Sequence, residues 1–313
     1  MIVSASYRTD IPAFYAAWFR ARWAAGFARV VNPYGGPSYE VALRGEAVDG
    51  YVFWTRNIAP FRDNLRLLRD AGQPFMVQYT LTGYPRALES RVVEQGPGIA
   101  AIKDLAAEFG RRCVVWRYDP IVFTSLTEAA DHRRNFAALA AGLAGSVDEV
   151  CLSFANIYRK SRRNLDASAR RHGFTWRDPA WDEKRSLRLE LEAIAADHGL
   201  TVSVCSQAEA GGAAARCIDA ERLSDLAGRS IKVRRKGNRP ACLCAESRDI
   251  GAYDSCPHGC AYCYAVRDRD RAAGNYRRHD PTGECLNPSS RAGLSSDGTK
   301  GHTPALGATN ERR

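Results

Sequence analysis

The sequence predicts an α/β protein built as a full or partial (β/α) barrel of the TIM type. Over residues 1–206, short β-rich runs that end in polar residues alternate with stretches of helical periodicity. Gly72, Gly110 and Gly199 stand where helices would stop. Seven such runs joined by short connections favour a parallel sheet that curls on itself over an open one. The runs are residues 2–7, 28–32, 50–55, 75–80, 112–118, 149–154 and 201–206. Apolar residues at three-to-four spacing mark helices over 11–25, 60–71, 98–109, 126–143 and 183–198.

In a barrel the functional groups gather where the strands end, which selects Arg8-Thr9-Asp10, Asn32, Thr55-Arg56-Asn57, Gln78, Thr80, Arg117-Tyr118-Asp119, Ser153, Asn156 and Cys205-Ser206. Charges in such places are costly to bury unless paired or used, so Arg8, Asp10, Arg117 and Asp119 are the candidate catalytic or pocket residues. The structural alternative is that they pair with one another at the rim.

With 313 residues, 45% of them hydrophobic, the chain can bury a sizeable core. It has no apolar run long enough to span a bilayer and its start lacks a secretory pattern, so a cytoplasmic protein with no membrane partner is expected. The formal charge is +10, and residues 229–278 alone carry twelve Lys/Arg against five Asp/Glu. A field of that sign favours an anionic partner: an acidic electron donor, an anionic small molecule or nucleic acid. A second basic stretch, residues 159–172, is followed by Phe174, Trp176 and Trp181, a mixture that could clamp a nucleic-acid strand or merely pack. Beyond Gly274 the composition shifts, with Pro, Gly, Ser, Thr and Asn dominating Asp280–Arg313. The expected organisation is therefore a (β/α) core over 1–206, a cysteine-rich iron–sulfur segment over 207–281 that completes it, and a disordered tail over 282–313.

Ten cysteines are too few for a disulfide scaffold, and five crowd between Cys242 and Cys263 as in metal sites. Cys256-Pro-His-Gly-Cys260-Ala-Tyr-Cys263 has C-x3-C-x2-C spacing. Three thiolates hold three corners of a four-iron cluster and leave one iron open, whereas structural zinc wants four protein ligands. Zinc completed by His258, Cys244 or Cys285 is the competing assignment. Cys205, Cys217, Cys242 and Cys244 form a further set with the ligand count of a second iron–sulfur cluster or a structural zinc.

The spacing resembles the cluster motif of radical S-adenosylmethionine enzymes. That resemblance implies a [4Fe-4S] cluster on Cys256, Cys260 and Cys263, S-adenosylmethionine on the open iron, Tyr262 against the adenine, and a flavodoxin- or ferredoxin-like donor. The stretches Ser4–Pro12, Asn32-Pro33-Tyr34, Trp116–Ile121, Cys217-Ile218-Asp219, Asp249–Ala265 and His279-Asp280-Pro281 together resemble a bacterial family, domain of unknown function 1848, whose C-terminal cysteines are likened to that cluster. Two departures stand out. The cysteine loop comes late in the chain, which a permuted barrel would explain if 249–254 formed a strand beside the first one and 265–273 the next helix. A Gly-Gly-Glu segment for the methionine amino group is not convincingly present, since Gly35-Gly36-Pro37 lacks the acid. The expected function is radical generation for hydrogen abstraction from an anionic or nucleotide-like substrate. A non-catalytic iron–sulfur electron carrier or redox sensor, and a zinc-stabilised nucleic-acid-binding or DNA-repair protein, are the alternatives.

Overall fold

The computed structural model describes residues 1–287, apart from 34 and 238. Strand β1 (Ile2–Ala5) leads through helices α1 (Ile11–Phe14) and α2 (Ala16–Ala25) to a hairpin of β2 (Phe27–Val30) and β3 (Tyr39–Ala42). Then come β4 (Gly50–Thr55), α3 (Arg62–Asp70), β5 (Phe75–Thr80), α4 (Gln95–Phe109) and β6 (Val114–Ile121). A short β7 (Phe123–Thr124), α5 (Ala129–Leu143), β8 (Glu149–Phe154) and α6 (Arg159–His172) follow. The chain continues with β9 (Trp176–Arg177), α7 (Trp181–Asp197), β10 (Thr201–Val204), α8 (Ala220–Ala227), β11 (Ser247–Asp249) and α9 (Arg269–Arg277).

Seven of these strands form one parallel sheet in the order β10-β8-β6-β5-β4-β1-β11. Successive side chains along a strand point to opposite faces. On one face Val3, Phe53, Val77, Trp116 and Leu152 pack under helical residues such as Phe19, Leu65, Ile102, Phe136 and Leu191. On the other, Ile2, Val52, Met76, Val115 and Cys151 meet the returning segment 205–246 through Cys205, Cys217, Ile218, Leu223 and Cys244. Burial on both faces is what a parallel sheet requires.

Three expectations need correction. The sheet is not a closed barrel: among the described residues β10 and β11 are not paired. The free edge of β10 is taken by its own continuation, since Val204 N donates to Ala213 O (2.7 Å) and Ala215 N to Val204 O (2.9 Å). The run at 28–32 does not join the parallel sheet; β2 pairs antiparallel with β3, and its alternating burial suits a two-stranded ribbon with one covered face. The seventh strand is instead β11, parallel to β1 with Ser4 opposite Asp249. Third, residues 282–287 are packed: Trp18 Nε1 donates to Gly283 O (2.9 Å), Arg22 to Thr282 O (2.8 Å), and Leu286 is buried. The remainder of the expected tail, 288–313, lies outside the described residues.

The basic stretch 159–172 is a helix that the apolar pattern did not mark, because Leu165 is its one large buried apolar side chain. The aromatics after it are engaged internally. Trp176 Nε1 donates to Asp166 (2.9 Å) under Arg162, and Trp181 meets Phe154 edge-on at 6.5 Å.

His132, in the first turns of α5 and 1% exposed, faces β6, its Nδ1 2.9 Å from the Tyr118 hydroxyl and its Nε2 3.1 Å from Val122 O. Both contacts are satisfied by a neutral ring, and burial holds its pKa down at about 4. Because the folded-state value lies below the ordinary one, His132 contributes stability that is complete above pH ~6.5 and is lost as the pH falls toward ~4, on the order of 3 kcal/mol. Urea unfolding between pH 7.5 and 4.5 is expected to show this loss, and His132→Gln to flatten it. An equally steep profile in the variant would remove His132 as the cause.

Candidate metal centre

At the C-terminal ends of β1, β4 and β5 the chain builds a cradle for the cysteine loop. Asp249, at the end of β11, accepts from Ser4 Oγ (3.0 Å), Ser6 Oγ (2.7 Å), Tyr7 N (3.1 Å), Arg8 Nε (2.9 Å) and Gly251 N (2.9 Å). Such a set of donors offsets the cost of burying the carboxylate. A Cβ on Gly251 would meet Ser6 Oγ at 2.0 Å, so the two segments approach as closely as glycine permits.

The loop is held at two further points. Asp10 caps α1 by accepting from Ala13 N (2.9 Å), and takes Thr55 Oγ1 (2.7 Å), Arg56 N (2.8 Å) and His258 Nε2 (2.7 Å). Arg56, at the foot of the loop, donates to Glu89 (2.7 Å) and to the Tyr262 hydroxyl (2.7 Å). Glu89 also accepts from Thr82 (2.6 Å) and from Tyr262. The stretch after β5 runs alongside, with Ala261 N donating to Leu88 O (2.9 Å) and Arg91 N to His258 O (3.0 Å). Gly259 turns at φ +73°, where a Cβ would strike Ser90 Oγ at 2.2 Å.

Cys256, Cys260 and Cys263 are half-buried, unbridged, and close enough that a charge on one raises the others. Burial is the main cause that pushes all three thiols up, Cys260 to about 12. Thiols tuned to react as free nucleophiles are shifted the other way. Arg56, Arg269 and Lys160 act against that burial, and a bound metal would add the further positive charge that thiolates need. The His258 N–H reaches Cys256 and the Ala265 N–H reaches Cys263 Sγ (3.4 Å), backbone donors that favour thiolates. Among the described residues no three His, Cys, Asp or Glu side chains are grouped as a single ion would require. Three thiolates are the protein ligand count of a four-iron cluster with one iron left open, one fewer than structural zinc requires. Of the proposed zinc-completing residues, Cys285 bridges to Arg29 on β2 and Cys244 is under the opposite sheet face, while His258 gives only its Nε2 to Asp10. His258 Nδ1 and Thr9 Oγ1 are buried here without a protein partner.

Of the residues read from the sequence, Arg8 pairs with Asp249 and not with Asp10, which serves the loop. Arg117 and Asp119 do pair (2.9 Å), with Arg117 also donating to Gln78 (3.0 Å) and lying over Trp54. Tyr262 is buried with its hydroxyl in the Arg56–Glu89 network, a structural anchor of the loop. Sequence reading missed Glu89, Asp249 as a hub and Ser90, none of which belongs to a recognisable local pattern. Cys205 and Cys217 come within 3.5 Å of each other, and Cys151, which no spacing marked, joins them.

Outside the loop a cavity of about 400 Å³ reaches Cys256, Pro257 and Gly259 and is lined by Arg86, Arg91, Arg171, His172 and Arg269 against Asp270 alone. A buried guanidinium nitrogen of Arg269 has no partner.

A sheet carrying a thiol triad on a loop at its C-terminal edge is the class of α/β protein with a candidate metal centre. The model of a domain of unknown function, DUF1848, matches residues 2–265, and the chain belongs to that family. No curated protein and no solved structure matches the chain. No described helix is long and apolar enough to cross a membrane.

Gly259→Ala is expected to weaken iron retention strongly, because the new Cβ both strikes Ser90 and sits at positive φ, the latter alone worth ~1–2 kcal/mol. Ser90→Ala in the same chain removes the clash and is expected to restore part of the bound iron. Iron content per chain after anaerobic reconstitution is the measurement, and no difference between single and double variants would show that the contact is irrelevant.

Proposed function

We propose that this protein is a radical S-adenosylmethionine enzyme. The observation that carries the reading is the unbridged thiol triad Cys256, Cys260 and Cys263 at C-x3-C-x2-C spacing, on a loop that Asp10 and the Arg56–Glu89–Tyr262 network hold at the C-terminal ends of the strands. The cluster and S-adenosylmethionine, when bound, supply a 5′-deoxyadenosyl radical on one-electron reduction. The strand order β11-β1-β4-β5-β6-β8-β10, each strand beside its predecessor in sequence except for the late β11, supports a permuted partial barrel.

The chain's own residues have separable tasks. Three cysteines hold the cluster, and Asp10 and the Arg56–Glu89–Tyr262 network fix the loop that carries them. Arg8 with Asp249 and Arg117 with Asp119 present oriented charge on the sheet face away from the helices, for S-adenosylmethionine or substrate. The covering segment 205–246 keeps water from that face, which a reactive carbon radical requires. The basic cavity beside Cys256 docks an acidic electron donor of the flavodoxin or ferredoxin type, or an anionic substrate.

Anaerobically reconstituted, reduced protein is expected to give a four-iron paramagnetic signal that shifts on adding S-adenosylmethionine, with 5′-deoxyadenosine formed. Cys260→Ala should lose both. A signal indifferent to S-adenosylmethionine would replace this reading with electron transfer or redox sensing, and zinc in place of iron would redirect it to nucleic acid.

Arg171→Glu with Arg269→Glu should slow reduction by flavodoxin at least tenfold at low salt while leaving reduction by dithionite intact. Equal rates with both reductants would place the donor elsewhere.

A further inference from the structure

Beneath the sheet, on the face away from the helices, a second group of sulfurs is assembled from four distant parts of the chain. Cys151 comes from the middle of β8, Cys205 from the end of β10, Cys217 from the loop before α8, and Cys244 from the strand-like segment that enters β11. All four are buried, at 1%, 7%, 3% and 4% exposure, within one apolar cluster with Ile2, Val52, Met76, Val115 and Ile231. Cys205 Sγ lies 3.5 Å from Cys217 Sγ, Cys244 Sγ accepts from the N–H of Ile218, the residue after Cys217 (3.4 Å), and Cys151 is packed in the same buried cluster. Cys242 is half-buried at the margin and touches Cys244.

Scattered free cysteines behave as small apolar residues and have no reason to meet. A sulfur–sulfur separation of 3.5 Å is far from a disulfide's ~2.05 Å. It is near the edge of a tetrahedron with metal–sulfur bonds of ~2.3 Å, about 3.8 Å. The surroundings carry the complementary charge. Arg117 Nη1 lies 3.1 Å from Cys217 Sγ, and Ile218 N donates to Cys244 Sγ (3.4 Å). A tetrathiolate bound to a divalent ion is a dianion, and a buried guanidinium with a backbone N–H is the outer shell that such a centre uses. Among the described residues the thiols are not gathered around a common centre. Each cysteine turns on one χ1 torsion, and bringing the sulfurs onto an ion falls to those rotors.

We infer that Cys151, Cys205, Cys217 and Cys244 form a second, structural metal site for a thiophilic divalent ion, zinc or iron, that ties the segment 205–246 to the underside of the sheet. It stands independently of what the loop cysteines bind. Relative to the sequence-based set, Cys151 takes the place of Cys242, because β8 points it into the group while Cys242 stays at the edge.

The test is made on the full chain carrying Cys256→Ala, Cys260→Ala and Cys263→Ala, reduced and titrated with cobalt(II) alone. One equivalent is expected, with thiolate-to-cobalt charge transfer and tetrahedral visible bands. Adding Cys217→Ser should weaken cobalt binding at least tenfold, whereas Cys113→Ser, a buried thiol bonded to Leu105 O, should not. As a second measurement, zinc and iron per chain in the otherwise native protein should fall by one equivalent in Cys205→Ser and be unaltered in Cys113→Ser. No tetrahedral cobalt in the triple variant, with no change in metal content on Cys205→Ser, would overturn the site. So would a Cys205–Cys217 disulfide in metal-depleted but fully active protein.

Discussion

The pairing of β11 with β1, sealed by Asp249, is the constraint on which the rest of the site depends. Three residues of ladder are a weak attachment by themselves. The Asp249 carboxylate converts them into a firm one by collecting donors from Ser4, Ser6, Tyr7, Arg8 and Gly251 in one buried spot. Removing any single donor leaves the charge largely compensated, whereas removing the carboxylate strands a buried guanidinium and two hydroxyls. Because the cysteine loop begins seven residues later, this junction decides where three sulfurs stand relative to the sheet.

From that junction the loop is fixed by polar contacts on both flanks, besides the burial of Ala261 and Tyr262 in the apolar core. Asp10 does double duty as helix cap and as acceptor from His258, so the end of β1 and the loop are set by one carboxylate. On the other flank, Arg56 and Glu89 neutralise each other and hold the Tyr262 hydroxyl between them. Networks of this kind are unforgiving in a low-dielectric interior: fully satisfied, they specify one geometry. A loop that must present ligands at fixed positions gains more from such specificity than from greasy contact, which tolerates sliding.

The two groups of cysteines occupy opposite settings for the same chemical reason. Those of the loop sit half-buried, with Cys256 lining a basic cavity, the setting that the proposed cluster would need to take up electrons from outside. The four below the sheet are sealed in hydrocarbon with a guanidinium against one sulfur, a setting suited to holding structure. Arg117 touches both regions of the inner face, through Asp119 toward the open end and through Cys217 toward the sealed one.

By itself, the sequence determined whatever is local in the chain. The alternation of runs and helices foretold the parallel α/β sheet, and the C-x3-C-x2-C spacing marked the loop, because both are patterns of near neighbours. The same reading placed residues 28–32 in the sheet and left open whether the barrel is full or partial, since period alone does not say which strand an edge will meet. Residues 213–215 settled that by taking the edge of β10. Only the tertiary structure paired Arg8 with Asp249 across 241 residues, turned Tyr262 into an anchor, and buried Cys151 in one cluster with Cys205 and Cys217. Those pairings depend on strand order and on which face each side chain takes. Both are settled by burial of the whole sheet at once and leave no mark at any one position.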